Sequence, residues 1–346
     1  MELVSFDFET HLISEEMIIP KPVCVSYCVE STQERGLIVG FEDVRVWLTT
    51  FLNNKDSIKI AHNATFELLV IYKWYPELRP LLWENLDIGL FFCTQLHQQL
   101  LDNVSERECK NHSLANLVNE YFKIDLTDDK KAPDAWRLRY AELEDVTLKD
   151  WPEKAKDYAI MDSVYTLDLY KVQIRKDTSI KQLEHLKASV SLNLMASRGI
   201  LISKDRVAVL EREIDETLAP SYEYLIEQGF MIFNTKTGKY GKKVKILKEY
   251  ITKHFKTIVK TKTGGVGTSG EAFDTYLIED PDDEILLAFK YIGQYEKIKS
   301  AFISRLNTAD PYIYTTYRPI VRSGRTSSRT TSIYPSVNIQ QMPRGV

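Results

Sequence analysis

At 346 residues the chain is longer than one ordinary domain, and two or three are expected. Its 44% apolar and 11% aromatic residues, without a low-complexity run, point to packed cores rather than a disordered chain, and no stretch of ~18 uncharged apolar residues suggests a membrane span. The net charge of −4 divides unevenly: residues 1–180 hold 20 Lys+Arg against 31 Asp+Glu, and residues 181–346 hold 25 against 18. Opposite signs in the two halves point to acidic chemistry in the first and a polyanion held by the second.

The N-terminal MELVSFDFET lacks the basic and apolar regions of a signal peptide, so a cytoplasmic location is expected. Residues 3–8 alternate apolar with polar or acidic side chains, the period of a strand with one buried face. Strands are also predicted at 23–29, 36–40 and 58–61, and helices at 42–53, 65–74, 90–100, 113–122 and 153–176. Strands first and helices after describe one α/β domain with a mixed sheet. From about 181 the pattern is helical, with Gly199 as C-cap of the first helix and Gly229 ending a second over 203–228. Residues 234–270 are rich in Lys, Thr and Gly around one helix near 243–255, and helices resume at 271–278 and 282–306. Cys24, Cys28, Cys93 and Cys109 form no CxxC pair and read as buried free thiols.

Asp7 and Glu9 lie two apart on the first strand, so both leave the same face, while Phe6 and Phe8 take the other and belong to the core. Paired carboxylates at the end of a buried strand repel unless a cation neutralises them, and hard cations such as Mg²⁺ and Mn²⁺ suit such oxygens. Asp-x-Glu alone also fits a solvated edge strand. Two further motifs change the balance: Asn63 and Glu67 in HNATFELLVIYK, and Tyr158 and Asp162 in KDYAIMDSVY, each pair sharing a helix face. Asp87, His97 and His112 are expected to be structural, the histidines at surface or core-edge positions.

Asp-x-Glu, Asn-x-x-x-acid and Tyr-x-x-x-Asp in this order resemble the DEDDy 3′→5′ exonucleases, the ribonuclease H-like (DnaQ-like) proofreading domain of DNA polymerases. The resemblance covers roughly residues 1–178. It implies catalysis with two Mg²⁺ or Mn²⁺ ions, with Asp7, Glu9 and Asp162 holding metal and Glu67 holding the second ion through water. Tyr158 would orient the attacking water, and Thr10 and Asn63 would seat the terminal nucleotide. One departure is Glu67, where the family usually has Asp; the longer side chain moves its carboxylate by about one bond length, a shift to which metal geometry is sensitive.

Residues 236–262 contain ten lysines and one acid, Glu249, followed by small residues whose backbone can approach a phosphate chain. Such a segment binds DNA through counterion release, without reading sequence. Beyond Asp310 no acid occurs, only Arg318, Arg322, Arg325, Arg329 and Arg344 among Ser, Thr, Tyr and Pro. The run YRPIVRSGRTSSRTTSIYPSVNIQQMPRG resembles the segment preceding the first catalytic motif of family A DNA polymerases. The resemblance implies a mainly helical thumb region over 179–310, DNA-contacting through 236–270, and the start of a palm at 311–346. DNA contacts are then expected from Lys242, Lys243, Lys260 and Lys262, and from Arg325, Ser327, Ser328, Asn338, Gln340 and Gln341. No palm aspartates or fingers are matched within the sequence, so polymerisation by this chain alone is not expected; two explanations stay open, a truncation or one half of a split polymerase whose partner polypeptide carries palm and fingers, and the layout resembles that of phage enzymes. Two other readings stay open: a 3′→5′ ribonuclease of the same class, and a non-catalytic DNA-binding subunit of a split polymerase.

Overall fold

The computed structural model describes residues 1–108, 111–126, 135–176, 180–307, 310–334 and 336–342. It divides into two compact units, one of Met1–Gly199 with Tyr314–Gln340, the other centred on Ile200–Ile313.

In the first unit the alternating residues form β1 (Glu2–Thr10), the centre of a five-stranded sheet. One edge of β1 pairs antiparallel with β2 (Pro22–Val29), which pairs antiparallel with β3 (Arg35–Val39). The other edge runs parallel to β4 (Ser57–Ala61), which runs parallel to β5 (Phe91–Cys93). The order β3-β2-β1-β4-β5 is the mixed, ribonuclease H-like sheet that the sequence led us to expect. Phe6 and Phe8 join a core with residues of α1 (Phe41–Asn53), α2 (Ala64–Trp74) and α3 (Arg79–Asp87), in which Leu48, Leu68 and Leu82 are fully buried. Each such side chain contributes about 1.5–3 kcal/mol through burial.

The opposite face of the sheet carries the long helix over Glu153–Lys176. Its Ala155, Ala159, Ser163 and Thr166 recur at three- and four-residue intervals and are all fully buried. Small side chains bring that helix close to the strands: the Ser163 carbonyl accepts from Ser5 Oγ at 2.7 Å, and its hydroxyl pairs with that of Ser26. In chain order the remaining helices of this unit are α4 (Thr94–Val104), α5 (Leu114–Phe122), α6 (the Glu153–Lys176 helix) and α7 (Leu183–Arg198). The segment Tyr314–Gln340 returns to this unit: Ile320 packs on the same core, Asn103 Nδ2 donates to the Val321 carbonyl at 3.3 Å, and Arg322 pairs with Glu108 at 2.5 Å.

Several local expectations are corrected. The helix predicted over 90–100 is strand β5 followed by α4, because Phe91–Cys93 pairs along β4 and the Cys93 thiol then accepts from Leu96 N at 3.4 Å, capping α4. The same sulfur accepts from Ala64 N at 3.3 Å at the start of α2. Asp87 ends α3 and pairs with Lys187, a structural role as expected. His97 is wholly buried against Phe92 rather than at a core edge, whereas His112 Nε2 donates to Asp102 Oδ2 at 2.8 Å. Cys24, Cys28 and Cys93 are buried free thiols as expected; Cys109 and Arg344 lie outside the described residues.

In the second unit α8 (Lys204–Glu227) packs against α11 (Glu284–Ile298), with α9 (Val244–His254) and α10 (Gly270–Glu279) between them in sequence. The helix predicted over 282–306 leaves regular geometry at Lys299–Ile303, which forms a π-helical turn. Between α8 and α9 stands a hairpin absent from the predicted elements, β7 (Met231–Asn234) with β8 (Lys239–Lys242); the two-residue β6 (Ile200–Leu201) precedes α8. Among the described residues no helix is long and apolar enough to cross a membrane.

Candidate active site

The two-residue period of β1 and the close seat of α6 converge on one point. Asp7, Glu9 and Asp162 each place a carboxylate oxygen so that all three lie within 4.8 Å of one another, with Glu9 and Asp162 buried and Asp7 partly so. A register shift between Glu9 and Thr10 marks a bulge at this strand end, the kind of irregularity that re-aims side chains. Three carboxylate oxygens converging in a buried setting are the donor set that Mg²⁺ and Mn²⁺ take, so the residues present fit a divalent cation.

Glu67 stands outside that three-membered set. The β1–β4 ladder runs only from Glu2 to Ser5, and beyond it the chain turns into α2. Glu67 fills the gap: its Oε2 accepts from Phe8 N at 3.0 Å, and the residue is 3% exposed. Its carboxyl is pushed well above the usual range, first by burial and then by the negative charge of Asp7, with Glu9 adding less. The methylene that distinguishes Glu from Asp is what lets the side chain reach the β1 backbone.

Tyr158, one turn before Asp162 on α6, is half-buried, and its ring lies 6.2 Å from that of Tyr140. Burial, followed by Asp162, Glu9 and Asp7, raises its hydroxyl far above the ordinary phenol value, while Arg137 opposes them. Asn63 is exposed in the left-handed region at φ 62°, where Asn is better tolerated than most residues. Thr10 Oγ1 donates to the His11 carbonyl at 2.8 Å.

Residues not singled out in the sequence brace this end of the sheet. Glu144 takes His11 Nε2 at 2.8 Å and also pairs with Lys21, joining both ends of the β1–β2 connection to the segment after Tyr140. Tyr140 donates to the Ala155 carbonyl at 2.7 Å. His62 bridges Thr94 Oγ1 at 2.9 Å and the His112 carbonyl at 3.0 Å, holding the turn before Asn63. No spacing rule in the sequence singles out His62 or Tyr140; their partners come from segments distant in the chain.

In the second unit Lys260 and Val266 form a bridge closing a turn at Thr261–Gly265, with Lys260 and Lys262 exposed on it. Gly267 packs closely there: a Cβ would meet Ala272 Cβ at 3.1 Å and the Val259 carbonyl at 3.2 Å. Lys243 is partly exposed. Lys242 turns inward, its Nζ 4.7 and 4.6 Å from the ring centres of Phe273 and Phe289, and donates to the Thr268 carbonyl at 3.1 Å. Burial lowers that amine to about 8. An ammonium so engaged ties the hairpin root to the neighbouring loop.

In the returning segment, β10 (Thr316–Arg318) pairs antiparallel with β11 (Ser327–Arg329), after the short β9 (Tyr312–Ile313) has paired with β6 in the second unit. Ser328 is buried: its hydroxyl donates to Asn338 Oδ1 at 2.5 Å and accepts from Gln340 N at 3.0 Å, and its amide donates to Gln340 Oε1 at 2.7 Å. Ser328, Asn338 and Gln340 therefore hold the segment's own shape. Arg325 and Gln341 are exposed and Ser327 is partly so.

Residues 1–176 match the protein-family model described as a 3′-5′ exonuclease. No curated protein matches in sequence. Among solved structures the chain is similar to the POL domain of Pol1 from M. smegmatis in complex with DNA primer-template and dNTP, with a TM-score of 0.63 and 16% identity. That match covers 99% of this chain and 52% of the other, so the chain spans about half the length of the structure whose fold it shares.

Proposed function

The chain belongs to the 3′-5′ exonuclease family of family A DNA polymerases, and from that premise we propose that it removes nucleotides from DNA 3′ ends by divalent-metal-dependent hydrolysis. The observation that carries this reading is the convergence of Asp7, Glu9 and Asp162 within 4.8 Å. Asp7, Glu9 and Asp162 would hold the divalent ion, Mg²⁺ or Mn²⁺, and Glu67 would serve a second one. When bound, such a pair acidifies water and neutralises the charge that builds on the phosphate and on the leaving oxygen.

The chain's own residues position the reaction. Tyr158, one turn before Asp162 on α6, orients the attacking water through its hydroxyl. The water oxygen joins phosphorus as the bond to the 3′ oxygen breaks, releasing a nucleoside 5′-monophosphate and a strand one residue shorter with a new 3′ hydroxyl. Asn63 and Thr10 flank the strand end. Lys243, Lys260 and Lys262, with Arg325, Ser327 and Gln341, hold DNA through its backbone and minor groove, where contacts are nearly independent of sequence. Ser328, Asn338 and Gln340 contribute through the segment's shape.

The test uses 5′-labelled single-stranded DNA and RNA, with and without Mn²⁺, beside Asp7→Ala/Glu9→Ala. A ladder on DNA that the variant loses supports the proposal. A ladder on RNA alone favours a ribonuclease. Salt-sensitive DNA binding without any ladder favours a binding subunit, a reading to which the engagement of Glu67 by Phe8 N lends specific support.

A further inference from the structure

The β7–β8 hairpin carries a combination that the exonuclease reading does not use. Between Glu227 and Glu249 the sequence holds six lysines and no acid. Residues 232–240 are all exposed, among them Ile232 at 55%, Phe233 at 43% and Tyr240 at 42%. Clustered exposed apolar side chains mark interaction surfaces.

The geometry is ordered. The register sets Phe233 opposite Tyr240 and Ile232 opposite Gly241. One face of the Tyr240 ring stacks on Tyr222 of α8, 3.9 Å away and within 7° of parallel, while Phe233 lies 4.9 Å from Tyr240 at 52°. Phe233 is thus the outer member of a run of three rings anchored on a helix. On the other face of the ribbon Ile232 has only a glycine across from it, leaving an open apolar shelf. The tip is set by Asn234, whose Oδ1 accepts from Lys236 N at 3.0 Å and whose carbonyl accepts from Gly238 N at 2.8 Å; Lys236 and Lys239 flank that turn. Lys242 fastens the root to Thr268, on the loop that follows Lys260 and Lys262.

Lysines without acids select a polyanion, and exposed rings select one with accessible π faces. A duplex offers its phosphates and hides its base faces, whereas a single strand offers both. We propose that the β7–β8 hairpin is a platform for single-stranded nucleic acid, with Phe233 and Ile232 meeting unpaired bases and Lys236 and Lys239 their phosphates. This inference rests on the reading of the lysine-rich segment as DNA-holding and adds the form of nucleic acid and the residues that meet it.

The test is fluorescence anisotropy of the full chain in EDTA with labelled oligo(dT) of about 16 nucleotides and with a blunt duplex of the same length. Phe233→Ala is expected to weaken oligo(dT) binding about tenfold while changing duplex binding less than about twofold, and Phe233→Trp to restore it. Lys236→Gln/Lys239→Gln should lower the slope of log affinity against log salt on oligo(dT) by about 1.4. Equal effects of Phe233→Ala on both probes, or none on either, overturn the inference. Self-association in sedimentation that Phe233→Ala abolishes also overturns it, assigning the hairpin to a second copy of the chain. The underlying reading is probed separately by Lys260→Gln/Lys262→Gln: unchanged duplex binding there removes the parent reading, while selective loss of oligo(dT) by Phe233→Ala still upholds the platform.

Discussion

Removing and restoring metal tests the carboxylate centre without relying on activity. With three carboxylate oxygens within 4.8 Å, each pair of charges repels by about 3.5 kcal/mol at an effective dielectric of 20. Asp7 is only partly buried, so water screens this toward roughly 1–2 kcal/mol. Saturating Mn²⁺ at about a hundred times its dissociation constant adds about 2.7 kcal/mol of stability, and a unit of this size shifts its melting temperature by about 2–4 °C per kcal/mol. Calorimetry should therefore show a rise of about 5–11 °C on moving from EDTA to Mn²⁺. In Asp7→Asn/Glu9→Gln, which keeps side-chain shape and removes two charges, that rise should vanish while the melting temperature in EDTA exceeds the parent's by about 2 °C or more. A variant that still responds fully to Mn²⁺, or melts lower than the parent in EDTA, would refute the claim that these carboxylates repel one another until a cation joins them.

Other consequences follow from single contacts. Glu67→Gln keeps an oxygen for Phe8 N, so it should melt within about 1 °C of the parent yet lose most Mn²⁺-dependent cleavage, whereas Glu67→Asp withdraws the acceptor from a buried amide and should cost about 1–3 kcal/mol in urea unfolding. Ser163→Leu forces a larger side chain between α6 and the sheet and removes the hydroxyl bond to Ser26; a loss of about 2 kcal/mol or more should appear as a lowered urea midpoint. Burial, then Lys55, lowers the Lys59 ammonium to about 8, below its unfolded value of about 10.4. The cost of keeping it charged is full below pH ~8 and fades as pH rises towards ~10.4, so stability from this group increases across that window, and Lys59→Met should abolish the increase. Arg322 and Glu108 are 66% and 69% exposed, so Arg322→Ala should change stability by less than about 1 kcal/mol, while Ile320→Ser, on the core, should lower the melting temperature measurably.

Much of this protein was legible from residue spacing. The alternation in LVSFDF assigned Phe6 and Phe8 to the core and Asp7 and Glu9 to one shared face, because side chains on a strand alternate whatever the rest of the chain does. The four-residue interval between Tyr158 and Asp162 likewise fixed their neighbourhood on a helix. Local pattern was less decisive where two elements suit the same letters: Phe91, Phe92 and Cys93 satisfy a helix or a strand, and pairing with β4 settled it.

Tertiary structure alone decided which polar atoms meet. No spacing reveals that the β1–β4 ladder ends at Ser5, leaving the Phe8 amide to Glu67, or that Lys242 folds onto two rings while Lys260 and Lys262 stay in solvent. Periodicity sets the direction in which a side chain departs; what it finds there depends on strands and helices distant in sequence. The sequence therefore determined which acids could share a site, and the packing of α6 on the sheet decided that Asp7, Glu9 and Asp162 do.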